Sequence, residues 1–407
     1  MKILHTSDWH LGAHIGRVDR ADDAFARITE LIEVIDAEQV DLLLVAGDIF
    51  DETRTLLLGG LIRRLALLLA PRIAQGLRVV FLAGNHDREP VFALLQAASD
   101  LFDPGMGDRV TLVQRPRMLD VPSRDGTEAV ALACLPYPTH FRYDLEARGW
   151  PSRDARNREL ADAVRTRITE LAEEAAARCA GLPTVMAAHL LVRGAKIGQG
   201  AYCLTEAEDV PIERGDLPAW DYIALGHIHK PQDMGHPNIR YSGSIERMDL
   251  GEANDTKSAV IVEVNGRGSA RHRTLTLNAT PFASIQASSE TDLIARREEL
   301  DDPDRTLVSL TLVIDGTESV TGLMARAHEL FPRLYREPGI RRTLNLGGGT
   351  SISGFDRSDV TGTVRSYLQQ QLTDDPDAEQ VLALADKLLA SDDFAAQLTN
   401  DSEGVAP

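Results

Sequence analysis

"DYIALGHIHKP", residues 221–231, holds an apolar run from Tyr222 to Leu225 that stops at Gly226 and is followed by two histidines one residue apart, His227 and His229. A short apolar run without alternation reads as a strand covered on both faces. The same arrangement recurs along the chain, with runs at Lys2–Thr6, Val40–Ala46, Leu77–Ala83, Ala129–Leu135 and Thr184–Ala188. Between them lie segments of helical periodicity with charged outer faces, such as Asp22–Glu38 and Asn157–Arg178. Buried strands interleaved with helices predict a layered α/β domain. The segments IRYSGSI, SAVIVEV and RHRTLTL, beyond Ile239, read as further strands that complete the core sheet system near residue 279.

The ends of these strands repeat one chemical habit. "TSDWHLG" supplies Asp8 and His10, "AGDIFD" supplies Asp48 and Asp51, "AGNHDRE" supplies Asn85, His86 and Asp87, and "AAHLL" supplies His189. Five of the eleven histidines therefore follow directly on apolar strands. In an α/β fold the strand carboxyl ends converge on one edge, so motifs scattered in sequence meet in space. Carboxylate oxygen, imidazole nitrogen and one amide oxygen, with no thiolate, suit Mn²⁺, Fe²⁺, Zn²⁺ or Mg²⁺. Seven ligands of this kind are too many for one ion that must leave room for water. Two ions about 3.5–4 Å apart, bridged by one carboxylate, use them well. His5 lies inside the first strand and reads as a core histidine, while His14, His140, His236, His272 and His328 have no partner motif and read as surface residues.

Composition narrows the class. The 407 residues carry a net charge of −19, and residues 280–407 hold 22 acidic against 11 basic side chains. No global basic face is written into the chain, so any affinity for nucleic acid needs a local patch, a metal centre or a basic partner. Cys134, Cys179 and Cys203 have no CxxC spacing, which argues against a disulfide framework or a structural zinc site. No apolar stretch reaches the roughly 18–20 residues a spanning helix needs, and the N-terminus meets His5 and Asp8 too early for a signal peptide, which predicts a cytoplasmic protein.

Beyond the core domain (1–279), residues 280–346 read as a small α/β cap. Its strands are expected at Phe282–Ala287, Leu307–Ile314 and Ile340–Leu346, and its helices at Thr291–Leu300 and Ser319–Tyr335. Residues 347–356, with GGGTSISG, read as a flexible linker. Residues 357–396 carry two amphipathic helical patterns, the second started by Asp375 and Pro376, and 397–407 read as a disordered tail. A helix pair that cannot bury its apolar face alone suggests docking to a partner.

Together, "DWH", "GDIFD", "GNHD", "AHL" and "GHIH" resemble the calcineurin-like metallophosphoesterases. "LHTSDWHLG", "VAGDIFD", "LAGNHD", "DYIALGHIH" and "YSGSIER" narrow the resemblance to the SbcD-type nucleases, relatives of the Mre-type DNA-break repair nucleases, over residues 1 to about 270. The resemblance implies an α/β fold built as a two-sheet β sandwich flanked by helices, with a cap and a helical tail. It assigns Asp8, His10 and His229 to one metal and Asn85, His189 and His227 to the other, with Asp48 bridging. His86 would stand beside the scissile phosphate, oriented by Asp87. Asp51 occupies the position where archaeal and eukaryotic relatives carry a histidine. Two Mn²⁺ ions are implied, with exonuclease and endonuclease action on DNA ends and hairpins. The implied partners are a coiled-coil SbcC-type ATPase, gripped through residues 357–391, and a second copy of the chain, packed through helices at 56–70 and 91–102. The protein would be nucleoid-associated. Arg88, Arg193 and Lys196 lie near the motifs and are local candidates for phosphate contact. Two alternatives stand beside this reading: a phosphomonoesterase or cyclic-nucleotide phosphodiesterase on the same centre, and a DNA-end scaffold whose metals are structural.

Overall fold

The structure, a computed structural model, describes residues 1–342 apart from 53, 103–108, 146–148, 179–180, 199–208 and 315–318, and in the tail residues 362, 365–366, 368–369 and 378–389. The chain divides into two compact units, Met1–Thr343 and Leu344–Pro407.

Two six-stranded sheets form the body of the first unit. One runs in the order Ala270–Thr276, Ser258–Val264, Lys2–Thr6, Leu42–Val45, Arg78–Leu82, Val110–Val113. Its last four strands are mutually parallel and its first two antiparallel. The second runs Gln232–Asp233, Ile239–Tyr241, Tyr222–Gly226, Thr184–His189, Ala129–Leu135, Arg117–Pro122, with parallel pairing at its centre and antiparallel pairing at both edges.

The period-2 geometry of a strand decides what each side chain meets. Ile3, Leu42, Leu44, Val80 and Leu82 of the first sheet face Leu132, Cys134, Val185, Ala187 and Ala224 of the second across a largely apolar layer. The intervening Leu4, Leu43, Val45 and Val79 pack outward under the helices Ala21–Glu38 and Thr55–Ala74. Ala133, Met186, Ala188 and Ile223 pack under Leu160, Val164 and Ile168 of the helix Arg153–Arg178. The central strands of each sheet are thus buried on both faces, which is why the runs carry no polar alternation. Each buried Leu, Ile or Val contributes about 1.5–3 kcal/mol.

His5 breaks the apolar layer and is satisfied within it. Its Nδ1 accepts from the Tyr222 hydroxyl at 3.0 Å and its Nε2 donates to the Leu225 carbonyl at 3.2 Å, joining the two sheets. Burial pushes its pKa from the usual 6.5 down to about 3, against the upward pull of the Leu225 carbonyl. The unfolded chain therefore takes up a proton below pH 6.5 that the folded chain refuses until about pH 3. The stability this difference contributes is complete above pH 6.5 and is lost as pH falls through that window, at up to about 1.4 kcal/mol per pH unit. His5→Gln, whose amide offers the same donor and acceptor without titrating, is expected to flatten this acid limb in chelator-containing urea titrations. An acid dependence unchanged from wild type would contradict the assignment.

Residues 282–342 form a three-stranded parallel sheet, Phe282–Ala287, Leu307–Ile314 and Gly339–Arg342, with helices Glu290–Glu298 and Val320–Leu330 packed on it. Ser289 and Ser319 cap those helices by accepting from the N–H groups of Asp292 and Gly322. This cap has its own core, including Leu293, Leu310, Leu312 and Phe331. It nevertheless belongs to the first compact unit, tied down by Arg333 on Asp23 and, through Arg20, to Glu246. In the second unit the helix Ala378–Leu389 is described, with Val381 and Leu384 exposed. The linker 347–356, the Asp375–Pro376 start and the tail 397–407 lie outside the described residues, as do Cys179 and Cys203. Cys134 is buried between the sheets.

Candidate metal centre

Asp8 and His10 follow Lys2–Thr6, Asp48 and Asp51 follow Leu42–Val45, and Asn85 and His86 follow Arg78–Leu82, three adjacent parallel strands of the first sheet. His189 ends one strand of the second sheet and pairs in register with Gly226, after which His227 and His229 come at once. The two sets of carboxyl ends meet where the sheets pack. Glycine makes the approach possible: a Cβ at Gly84 would lie 2.1 Å from Asp48 Oδ1, and one at Gly226 would lie 2.0 Å from the Ala46 carbonyl oxygen. Asp8, His10, Asp48 and His227 all adopt positive φ, at 53°, 45°, 54° and 98°. Such backbone costs a non-glycine residue about 1–3 kcal/mol and persists only where surrounding contacts hold it. Here the N–H of Asp8 donates to the Gly47 carbonyl at 2.9 Å, that of His10 to the Asp48 carbonyl at 3.0 Å, and that of His227 to the Asp8 carboxylate at 3.1 Å.

The far nitrogen of each imidazole is held by an acceptor. His10 Nδ1 faces Asp51 at 2.9 Å, His229 Nδ1 faces Glu252 at 2.8 Å, His189 Nδ1 faces the Ala46 carbonyl at 2.7 Å, and His227 Nε2 faces Asp209. These partners fix the tautomers and turn the remaining nitrogens inward. Inside, acceptors meet acceptors: His10 Nε2 lies 3.1 Å from His229 Nε2, and His189 Nε2 and His227 Nδ1 lie 3.0 and 2.9 Å from Asn85 Oδ1. Asp48 Oδ2 is 3.3 Å from His189 Nε2 and 3.8 Å from His10 Nε2. Lone pairs cannot converge like this without positive charge between them, and divalent cations fit the donor set. Asp8, His10 and His229 are close enough to share one ion, and Asp48, His189 and His227 another. His10, Asp48 and His86 form a third such grouping.

The demand for positive charge also governs protonation. Burial would lower the His10 pKa, but the Asp51, Asp48 and Asp8 carboxylates outweigh it and push it up to about 10. His189 is pushed up to about 9, burial again being overcome by Asp48 and Asp8. Although burial opposes ionisation of Asp48, His189, His10 and His86 hold it well below the usual carboxylate range. Protons and metal ions therefore compete for the same atoms, and metal binding releases protons.

Asp87, expected to orient His86, does something else. Its buried carboxylate accepts from the N–H groups of Ile49, Phe50 and Gly84, at 3.0, 3.0 and 2.8 Å. Consecutive side chains leave this tight loop in different directions, so Asp87 pins the Asp48 loop to the Asn85 loop. Burial and the nearby Asp48 charge raise its pKa to about 6, against the pull of those N–H groups. His86 meets Asp51 instead, through Nδ1 at 2.8 Å, while its backbone N–H donates to Asp48 Oδ1 at 2.8 Å. Asp51 thus joins His10 and His86. Buried Arg142 donates to the Gly84 and Asp87 carbonyls and stiffens the same loop from outside.

Asp209, Glu252 and Lys257 carry the outer ring of the site and belong to no motif read from the sequence. Buried Lys257 donates to Glu252 at 2.6 Å and to the His229 carbonyl at 3.0 Å, so the carboxylate behind His229 is itself neutralised. Tyr137 donates to Asp209 at 3.0 Å. A lysine set directly before the apolar run Ser258–Val264 is the one signal of this ring in the sequence. Of the phosphate-contact candidates, Arg88 is exposed directly after the His86 loop, and exposed Arg193 pairs with Glu213 at 2.7 Å. The Lys196 backbone N–H donates to Gln232, in the edge strand beyond the second sheet's histidines.

The family described as calcineurin-like phosphoesterase matches residues 1–231. Over 318 residues the chain is 30% identical to the SbcD component of the SbcCD nuclease of Rhodobacter capsulatus, an alignment covering 75% of this chain and 77% of that protein. A solved dimetal phosphatase from Danio rerio is 13% identical, with a TM-score of 0.40, and covers 68% of this chain and 99% of its own. With the family match spanning more than half of its length, and metal-ready side chains at its strand ends, this protein belongs to the calcineurin-like phosphoesterases, within their SbcD-type branch.

Proposed function

We propose that the protein hydrolyses DNA phosphodiester bonds with two divalent ions, Mn²⁺ foremost, as an exonuclease and endonuclease on ends and hairpins. The observation that carries this reading is the set of inward lone pairs, divided between two groups and joined at Asp48. The substrate class comes from the nuclease of Rhodobacter capsulatus to which the chain is similar. Asp8, His10 and His229 would hold one ion and Asn85, His189 and His227 the other, with Asp48 within reach of both sets. Divalent ions there supply Lewis acidity toward phosphoryl oxygen and a lowered pKa for nearby water. His86, with Nδ1 facing Asp51, would address the phosphate through its other ring nitrogen, to stabilise developing charge or protonate the leaving oxygen. Arg88, Arg193 and Lys196 contact flanking phosphates.

The partner is an SbcC-type ATPase gripped by residues 357–391, whose helix Ala378–Leu389 leaves Val381 and Leu384 exposed. A second copy packs on helices Thr55–Ala74 and Glu89–Phe102, where Leu56, Leu67 and Leu94 are 88%, 70% and 62% exposed. No helix among the described residues is long and apolar enough to cross a membrane.

The test compares Mn²⁺-dependent cleavage of a labelled DNA hairpin with turnover of a phosphomonoester and a cyclic nucleotide, with and without the ATPase. Hairpin cleavage is the expected result; efficient turnover of the small substrates alone would overturn it. The division of ligands has its own consequence. His229→Ala is expected to empty mainly the ion shared with Asp8 and His10, and His227→Ala mainly the other, as read by metal analysis and Mn²⁺ paramagnetic resonance. Identical losses would contradict the division.

A further inference from the structure

Beside the metal centre runs a trough whose residues take no part in holding the ions. Two cavities, of about 580 and 990 Å³, share Glu89, Pro90 and Phe141 in their walls and so lie side by side. The inner one begins at Tyr137, whose ring centroid lies 5.5 Å from that of His227 and 6.1 Å from that of His189. The outer one ends among Arg78, Arg115 and Arg117, between the edge strands Val110–Val113 and Arg117–Pro122 of the two sheets. Phe141 stands between them, 46% exposed, with the Arg115 guanidinium 4.8 Å from its ring centroid.

The lining has a chemistry of its own. Four arginines, Arg78, Arg115, Arg117 and Arg156, face two carboxylates, Glu89 and Asp120, in a chain whose net charge is −19. Some of that charge is shared locally, since Arg115 also pairs with Asp144. Exposed aromatic rings set among arginines are the arrangement that takes unpaired bases: each base offers a π-face whatever its identity, and the cations follow the backbone. A duplex offers no free base face. We propose that this trough holds single-stranded DNA leading to or from the metal centre, with one base stacked on Phe141 and a phosphate near Arg117. The proposal rests on the DNA phosphodiesterase reading and deepens it, by naming an unpaired strand as what lies beside the cut.

The full-length protein, kept in EDTA to prevent hydrolysis, is titrated into fluorescein-labelled dT15 and, separately, a blunt 30-base-pair duplex. Phe141→Ala is expected to raise the Kd for dT15 about tenfold and to leave the duplex Kd unchanged, with Phe141→Trp restoring the wild-type value. Arg117→Glu is expected to weaken dT15 binding by about tenfold and to lower its salt dependence by about one phosphate contact. Both positions are solvent-facing, so folding is expected to survive. Unchanged dT15 affinity in both variants would overturn the proposal, leaving the trough to an extended peptide added to an edge strand. Equal losses on dT15 and duplex would overturn the stacking. Wild-type turnover of bis(p-nitrophenyl) phosphate with Mn²⁺, which needs only the metal centre, reports separately on the phosphodiesterase reading.

Discussion

Asp48→Asn is expected to leave a folded protein that binds neither metal ion. Asp48 is buried and lies within reach of both histidine groups, 3.3 Å from His189 and 3.8 Å from His10. Asparagine is nearly isosteric and can still accept the His86 N–H, so the loop geometry is preserved. What is lost is the negative charge that both ions need. Bound manganese per chain should fall from about two to near zero. Turnover should fall by about 10³-fold or more, since several kcal/mol of charge stabilisation disappear. Thermal denaturation gives an independent reading. Metal at a hundredfold over its Kd stabilises a folded protein by about 2.7 kcal/mol, so the wild type should gain melting temperature on adding Mn²⁺ and the variant should not. A variant that kept both ions would refute the bridging role.

His86→Gln should separate chemistry from metal binding. His86 is partly exposed at the mouth of the site and its Nδ1 is committed to Asp51. Glutamine keeps the reach, but its amide N–H cannot be transferred as an acid. Hydrolysis is expected to drop by about 10²–10⁴-fold, the usual worth of a positioned acid. Metal content should stay at the wild-type level. Because His86 also stands close enough to His10 and Asp48 to share an ion, metal analysis is the deciding measurement. Loss of one ion together with activity would make His86 a ligand rather than an acid, and unimpaired turnover would remove it from the reaction altogether.

Central strands were legible in the sequence because a strand buried in the layered core is largely apolar, and several of them end directly in clusters of Asp, Asn and His. Lys2–Thr6, Ala129–Leu135, Phe282–Ala287 and Leu307–Ile314 have the bounds the pattern predicts. The edge strands Val110–Val113 and Arg117–Pro122 were not legible. RMLDVP keeps charged residues on a half-exposed rim and resembles a loop. The same limit applies to the site. Side chains that point inward declare themselves through strand-end motifs, whereas Asp209 and Glu252 act from segments whose sequence carries no periodicity. The resemblance gives Asp87 the orienting of His86, whereas the loop turns its carboxylate onto backbone N–H groups. Asp51 looked like a departure from relatives and emerges as the link between His10 and His86.

The left-handed backbone at Asp8, His10, Asp48 and His227 has a bearing on laboratory evolution. At each of these positions glycine would relax the chain, most of all at residue 227, where φ is 98°. A library selected for heat resistance in the absence of metal is therefore expected to accumulate glycine there and to yield hardier proteins with no turnover. Thermostable variants of this enzyme are better sought with Mn²⁺ present and cleavage in the screen, so that the ions reward the strained residues that hold them.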